Sequence, residues 1–361
     1  MNRSFTFCLL VFLMLSAVAF AQDNPAPAPA SAATQPAATE WTLPQQDDIY
    51  LLLPAGENIY YLCADHNKEP AGARKRYSTY MCFNTRTSGT TNVLLSIPGR
   101  FDPDKLMVFG FSLSPDRKFA LMNVNSLSGS NLGGLYMVDL VKNKARKFPP
   151  TGGTWLGDEL VVNVKDSKSR YTQLMRYSIT GAKLGPLPIC GQLRAADEQG
   201  KNLYVMADPK DLRKPLPEKD IASVAKPLMV DKDGKVTSEI AARPGGNMSV
   251  TSPNLKFCAA DAAQNGNAAV RVFSLDGKKE WFLPEMMKTI YVGDEGDVLS
   301  ISYAPVNGGN GSTLEYWDAS GKKVWTGPQV SAAAFYDGKA YYVETVDSKV
   351  MIKTKTLVEK K

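Results

Sequence analysis

The chain has 361 residues, and its 42 basic and 36 acidic side chains give a net charge of +6 at pH 7. This charge is spread along the chain and forms no focused basic face with interleaved aromatic residues, so we expect no nucleic-acid partner. A single histidine, together with the absence of a C-x-x-C pair, argues against a structural zinc site.

The N-terminus resembles a signal peptide, which we place at residues 1–21. Arg3 supplies the positive charge, an almost wholly apolar stretch follows, and Ala19-Phe20-Ala21 is a small-x-small cleavage site. The apolar stretch is short for a membrane span. We therefore expect cleavage after Ala21, no integral membrane segment afterwards, and export to the periplasm or the extracellular space. An uncleaved membrane anchor is the alternative.

A linker and one large domain follow the signal peptide. Residues 22–40 are rich in alanine and proline and show no apolar periodicity, which is typical of a semi-extended linker. Residues 41–361 are long enough for one large β domain, and we expect this domain to be a monomer.

The predicted strands fall into seven successive units, in which short apolar segments alternate with Gly, Pro, Asn or Asp turns. Two long loops interrupt the units, at 65–76 and 208–225, and the second contains the one predicted short helix, at 218–225. In chain order, the units cover residues 47–96, 106–148, 154–188, 194–240, 248–284, 290–328 and 330–358.

One short motif occurs twice and sets the length of the repeat. The sequence SPDRKFA begins at Ser114 and the sequence SPNLKFC begins at Ser252, 138 residues later (252 − 114). This offset is about three repeats of 46 residues, a length typical of β-propellers, in which four-stranded sheets stack around an axis. We predict an all-β propeller of seven four-stranded blades, with six or eight blades as alternatives.

The motif also carries a family resemblance. Ser114 to Lys118, followed by the strand from Leu135 to Asp139, resembles the repeats of TolB-type and WD-like propellers. The sequences DGKKEW from Asp276 and SGKKVW from Ser320 are similar to quinoprotein-type repeats. The resemblance implies a propeller over most of residues 45–355, but repeat motifs specify turns and sheet packing rather than an activity.

Four cysteines remain after signal cleavage, and export would permit disulfides. Cys63 and Cys82 lie on consecutive predicted strands, so a hairpin would allow them to face each other. A Cys63–Cys82 disulfide is one hypothesis, and two buried thiols are the other. We expect Trp155, Trp281, Trp317 and Trp325 to fill the space between blades.

The sequence offers little support for catalysis. His66 is the single histidine, and no G-x-S-x-G motif supplies a serine partner for it. The acidic segments at Asp231–Gly234 and Asp294–Asp297 superficially resemble calcium loops, but both fall where the repeat requires a turn. We therefore assign no catalytic, metal-binding or cofactor-binding residue and expect no cofactor.

Two functions remain open from the sequence. The first is a non-catalytic exported propeller that binds a protein, peptide or glycan through its loops or its channel mouth. The second is a propeller enzyme that acts on a carbohydrate or lactone through carboxylates at the channel mouth, with or without calcium. A quinone-dependent dehydrogenase is a third, less favoured function, which the quinoprotein-type repeats suggest.

Overall fold

A computed structural model describes most of the chain from Glu40 onward. The described residues are 40–42, 48–55, 58–65, 78–85, 91–96, 106–126, 134–142, 144–148, 152–165, 172–207, 226–241, 248–283, 287–302, 305–306, 309–310, 312–347 and 349–358. They belong to one compact unit, 37–361. His66, the two predicted long loops and the predicted helix at 218–225 lie outside the described residues, apart from Asp65 at the start of the first loop.

The described elements are all β-strands, which confirms the predicted fold class. The first twelve strands are β1 (Glu40–Thr42), β2 (Asp48–Ala55), β3 (Asn58–Asp65), β4 (Ser78–Thr85), β5 (Thr91–Ser96), β6 (Leu106–Leu113), β7 (Phe119–Ser126), β8 (Gly134–Asp139), β9 (Lys144–Phe148), β10 (Thr154–Leu156), β11 (Glu159–Lys165) and β12 (Thr172–Ser178).

The second part of the chain continues in the same way. Its strands are β13 (Lys183–Ala196), β14 (Asn202–Ala207), β15 (Lys226–Asp231), β16 (Val236–Glu239), β17 (Met248–Thr251), β18 (Phe257–Gln264), β19 (Asn267–Ser274), β20 (Glu280–Leu283), β21 (Met287–Val292), β22 (Val298–Ser302), β23 (Pro305–Val306), β24 (Gly309–Asn310), β25 (Thr313–Trp317), β26 (Lys323–Gln329), β27 (Ala333–Tyr336), β28 (Lys339–Val346) and β29 (Lys349–Thr356).

The described strands pair into antiparallel groups of four, which we number along the chain. Group 1 is β2–β5, group 2 is β6–β9, and group 5 is β17–β20. Groups 3 and 4 share the long strand β13 in a seven-stranded sheet ordered β10 to β16. Group 6 is β21-β22-β25-β26, with β23 and β24 as a separate two-stranded hairpin, and group 7 is β27-β28-β29-β1. The number of blades itself stays a prediction.

The N-terminal strand completes the last group. β1 pairs antiparallel with β29, and the register places Trp41 opposite Ile352. Groups 1 and 7 also share one buried cluster, in which Ile49 and Ile59 pack with Val343 and Ile352. The beginning and the end of the domain are therefore held together by both backbone pairing and a common core.

Each core cluster lies between two neighbouring groups. Trp155 packs between groups 2 and 3, and Trp317 packs between groups 5 and 6. Trp281 and Trp325 are partly buried against the clusters that join groups 5 to 6 and 6 to 7. The prediction that these four tryptophans fill the space between sheets is confirmed. Groups 3 to 7 each supply apolar side chains to two of the described clusters, so these sheets bury apolar side chains on both faces.

A bulky side chain on the last strand of one group repeatedly packs on a glycine in the next group's last hairpin turn. A Cβ atom added at Gly321 would lie 2.9 Å from the ring of Trp281. A Cβ atom added at Gly234 would lie 2.5 Å from Pro188, and one added at Gly181 would lie 3.5 Å from Phe148. Glycine at these turns therefore allows the neighbouring sheet to approach closely.

The pairing of β3 with β4 gives the relative positions of Cys63 and Cys82, the two cysteines of the predicted disulfide. The register places Cys63 opposite Tyr80 and Cys82 opposite Tyr61, so the two cysteines are offset by two positions. Directly opposed residues are closer than such diagonal neighbours, and a disulfide needs a short Cβ–Cβ distance. The disulfide stays a prediction.

We expect Gly321→Ala to destabilise the domain more than Gly266→Ala. Both glycines have a left-handed backbone, with φ of +79° and +80°, but no atom would lie within 4 Å of a Cβ atom at Gly266. The shared backbone strain costs about 1–2 kcal/mol, and the contact with Trp281 adds about 1–3 kcal/mol. Urea unfolding measures both variants. Equal midpoints for the two would contradict the proposed packing of Trp281 on Gly321.

We also expect removal of β1 to destabilise the domain. A chain that begins at Pro44 lacks the three residues paired with β29, and the loss of a few backbone hydrogen bonds costs about 1–4 kcal/mol. A chain that begins at Ala38 is the matched control, because it retains β1. Thermal unfolding that is the same for both truncations would show that β1 contributes nothing to stability.

Candidate functional site

The first strands of the groups surround one central cavity of about 920 Å³. Leu52, Leu113, Trp155, Ile290 and Phe335 line it, and they come from groups 1, 2, 3, 6 and 7. Groups 4 and 5 contribute Ala196 and Val250. The cavity therefore corresponds to the channel expected at the axis of a propeller. Its wall combines these apolar side chains with charged ones, including Asp197 and Lys288.

A second cavity of about 660 Å³ opens where the first turn of several groups lies. We call it the mouth, since it shares Arg117, Glu198 and Tyr336, among others, with the central cavity. Its lining includes Arg117, Glu198, Tyr291, Phe335, Tyr336 and Asp337. Polar side chains and aromatic rings thus meet at the entrance to the central cavity.

The turns at the mouth are fixed by short hydrogen bonds between consecutive groups. The amide of Gly157 donates to the carbonyl of Gly200 at 2.7 Å, and the amide of Glu198 donates to the carbonyl of Pro253 at 2.7 Å. The side chain of Asn254 donates to a carboxylate oxygen of Asp294 at 2.6 Å. These bonds join groups 3, 4, 5 and 6, so the backbone around the mouth is a connected frame.

The two Ser-Pro motifs are turns, as the sequence predicts. The amide of Arg117 donates to the carbonyl of Ser114 at 2.8 Å, and the amide of Leu255 donates to the carbonyl of Ser252 at 3.0 Å. Each serine hydroxyl oxygen accepts the amide hydrogen of the phenylalanine five residues later at 3.0 Å. The motif is therefore local turn chemistry that recurs because the groups recur.

The same position of the two turns carries different side chains with different surroundings. Arg117 and Leu255 both have a left-handed backbone, with φ of 58° and 53°. Leu255 is 4% exposed and packs in the core between groups 4 and 5. Arg117 instead lies in the mouth. The two turns thus share the same backbone conformation. The residue at this position lies in the core in one turn and in the mouth in the other.

Arg117 joins three groups across the mouth. A guanidinium nitrogen lies 3.6 Å from a carboxylate oxygen of Glu198 in group 4. Another guanidinium nitrogen donates to the hydroxyl of Tyr336 in group 7, and the guanidinium carbon lies 4.9 Å from the centre of that ring. Both ion-pair partners are exposed, by 46% and 61%, so the pair contributes little stability and can be exchanged.

A stack of aromatic rings forms one wall of the mouth. The rings of Tyr291 and Phe335 stack with centres 4.0 Å apart, and Tyr316 extends the stack behind Phe335 at 6.5 Å. The hydroxyl of Tyr316 donates to a carboxylate oxygen of Asp297 at 2.8 Å. This network joins group 6 to group 7 and holds the faces of Tyr291 and Phe335 in place.

Asp297 lies in a tight space beside the aromatic stack. Burial raises the pKa of its carboxyl above the ordinary value, and the hydrogen bond from Tyr316 opposes that rise only in part. A Cβ atom added at Gly293 would lie 1.9 Å from a carboxylate oxygen of Asp297. Asp297 is therefore held in place by Tyr316 and Gly293, and its carboxylate accepts the hydrogen bond that fixes Tyr316 in the stack.

The acidic segments considered for calcium are turns in the structure. The amide of Gly234 donates to the carbonyl of Asp231 at 3.0 Å, and the amide of Gly296 donates to the carbonyl of Gly293 at 3.1 Å. Within the described part of the chain, no group of three or more His, Cys, Asp or Glu residues is arranged to hold a metal ion. The sequence does not predict that Arg117, Glu198 and Tyr336 form a site, because nothing in their local sequence brings groups 2, 4 and 7 together.

Comparison with known proteins shows the fold and no closer relationship. No family model matches the sequence, and no curated protein matches it. The β-propeller domain of the Trilobed protease from Pyrococcus furiosus is 10% identical, with a TM-score of 0.51 over 87% of this chain and 97% of that chain. The two structures are similar as β-propellers, which confirms the prediction of an all-β propeller.

Other similar structures include TolB from Acinetobacter baumannii and the C-terminal WD40 domain of Sif2. The TolB structure is 19% identical, with a TM-score of 0.40, and the match covers 64% of this chain and 52% of that chain. The Sif2 domain is 9% identical, with a TM-score of 0.46 over 88% of this chain and 98% of that chain. The chain thus spans about half the length of the TolB chain.

Among the described residues, no helix is long and apolar enough to cross a membrane. Quinoprotein-type character stays a prediction from the two repeats.

We expect Asp297→Asn to become more stable relative to the native protein as the pH rises from about 4. The raised pKa of Asp297 means that the folded state binds more protons than the unfolded state, so this carboxyl lowers stability as it ionises. The asparagine side chain still accepts a hydrogen bond from Tyr316 but does not titrate. Chemical unfolding at several pH values measures the difference.

Asp276→Asn is the control, because its effect on the pH dependence of stability should have the opposite sign. A hydrogen bond from Ser274 lowers the pKa of Asp276 to about 2, so this carboxylate stabilises the folded state above its ordinary pKa of 3.8. That contribution is lost as the pH falls toward 2. The variant should be less stable than the native protein at pH 7, with a gap that narrows in acid. A pH-independent difference for Asp297→Asn would contradict the assignment.

Proposed function

We propose that this chain is an exported, non-catalytic propeller that binds a segment of a partner protein at the mouth. The observation that carries this proposal is the composition of the mouth, where one basic group, two carboxylates and three aromatic rings surround the entrance to the central cavity. Such mixed linings suit a peptide, because a peptide presents backbone amides together with apolar and charged side chains.

The size and the rigidity of the mouth support the same proposal. Its volume of about 660 Å³ lies within the range of ligand pockets. The hydrogen bonds between consecutive turns and the stacked rings hold its wall in place before a ligand arrives. A pre-organised surface loses less conformational entropy on binding than a mobile one does.

The carboxylate enzyme is less well supported than the binding protein. Asp197 accepts hydrogen bonds from the amides of Lys201 and Asn202, at 2.7 Å and 3.1 Å. Asp297 accepts one from Tyr316, and Glu198 pairs with Arg117. Each of these carboxylates therefore has a role in the fold or the mouth, while general acid–base catalysis needs a pair poised toward a substrate.

A photoreactive amino acid placed at the mouth tests this proposal. We expect p-benzoylphenylalanine at Pro253 to form an adduct with a polypeptide when the full-length protein is expressed and irradiated in its host. The same probe at Val324, which is 51% exposed on the outer strand β26, is the control and should form none. A carbohydrate adduct at Pro253, or equal labelling at both positions, would contradict the proposal.

The loops at 65–76 and 208–225 provide the second arm of this experiment. Replacement of either loop by a short glycine-serine linker should leave the Pro253 adduct in place if the mouth is the binding site. Loss of the adduct in a loop variant that retains its melting temperature would move the site to that loop.

A further inference from the structure

The mouth already contains a guanidinium group in a defined setting. Arg117 lies with its guanidinium 4.9 Å from the ring centre of Tyr336 and 3.6 Å from the carboxylate of Glu198. An aromatic face together with a carboxylate is the arrangement that recognises an arginine side chain. The chain itself therefore demonstrates that this part of the mouth accepts a guanidinium.

The remaining charge of the mouth is negative. Among the described residues that line it, Arg117 is the one basic residue, and Glu198 and Asp337 are acidic. Burial raises the pKa of Tyr291, and the nearby charges of Asp297, Asp294 and Glu198 raise it further. If the side chain of Arg117 moves away, the mouth becomes a site of carboxylates and aromatic rings.

The contact made by Arg117 can be exchanged at little cost. Its backbone is fixed by the turn that begins at Ser114, whereas its side chain is 46% exposed and pairs with an exposed carboxylate. Exposed ion pairs contribute little because water and salt screen them. A second guanidinium from a partner would make the same contacts with Glu198 and Tyr336, and it could add contacts with the partner's other residues.

We propose that the mouth is a receptor for an arginine side chain on the partner segment, and that Arg117 occupies this receptor until the partner displaces it. This inference rests on the proposed function, because it names the chemistry of the segment that the mouth binds. The guanidinium of the partner lies over the ring of Tyr336 and pairs with Glu198, while the side chain of Arg117 turns outward from its fixed turn. Arg117 is thus a competitor within the site.

A titration of the full mature chain with short blocked peptides tests the inference. The probes are acetyl-Gly-Arg-Gly-amide, acetyl-Gly-Gln-Gly-amide and acetyl-Gly-Glu-Gly-amide, with dissociation constants measured by NMR. We expect the arginine peptide to bind most tightly. Arg117→Gln should bind it about threefold to tenfold more tightly, which is about 0.7–1.4 kcal/mol. Glu198→Gln should weaken binding by a similar factor.

Arg271→Gln is the matched control for the loss of an arginine. Arg271 also pairs with a carboxylate, that of Glu280, and its guanidinium carbon lies 4.8 Å from the ring centre of Phe273. It belongs to β19 and does not line the mouth. Its replacement should leave the affinity for the arginine peptide unchanged. Thermal melting of every variant confirms folding, and the exposed Glu198→Gln keeps the test valid if Arg117→Gln does not fold.

Two results would overturn the inference. In the first, the glutamate peptide binds best and loses affinity in Arg117→Gln, which would make Arg117 itself the receptor of an anion. In the second, no peptide distinguishes the variants. If a polypeptide adduct still forms at Pro253 in that case, the mouth binds a partner by other chemistry, and this inference alone fails. Absence of that adduct would mean that the proposed function fails as well.

Discussion

The packing of a bulky side chain onto a glycine of the next group is the contact that sets the spacing of the sheets. Trp281 on Gly321, Pro188 on Gly234 and Phe148 on Gly181 repeat it along the chain. A Cβ atom at Gly321 or Gly234 would lie less than 3.0 Å from the neighbouring sheet and force a shift, whereas one at Gly181 would make an ordinary contact. Interiors tolerate such overpacking poorly. The buried clusters between the groups depend on this close approach, since each takes its side chains from both neighbours.

The spacing of the sheets in turn determines what meets at the mouth. Consecutive turns are close enough for the amide of Glu198 to reach the carbonyl of Pro253 and for Asn254 to reach Asp294. On the far side, Tyr291 stacks on Phe335 because groups 6 and 7 share a core. The packing of the sheets therefore forms the mouth. It holds side chains from distant parts of the sequence in fixed positions there.

The sequence predicts the fold well because its signals are local. The turn residues of Ser114–Asp116 and Asp276-Gly277, and the alternation of apolar residues along the strands, act within one hairpin. The sequence predicts the site poorly because the site combines residues that are far apart in the chain. Arg117, Glu198 and Tyr336 are separated by 81 and 138 residues (198 − 117 and 336 − 198), and no local pattern specifies which sheets face each other across the channel. The pairing of β1 with β29 is likewise not specified by any local pattern, because the two strands lie at opposite ends of the domain.

The internal repeat provides the strongest argument for where function lies. Ser114 and Ser252 begin turns with the same hydrogen bonds and the same left-handed fourth residue, so their differences are not required by the turn itself. A left-handed backbone is unfavourable for either a leucine or an arginine, which means that each side chain is retained for its surroundings. Leu255 fills a core, as the packing of the sheets demands. Arg117 fills no core and spans a cavity between an acidic side chain and an aromatic ring, and this departure from the repeat supports the binding site that we propose at the mouth.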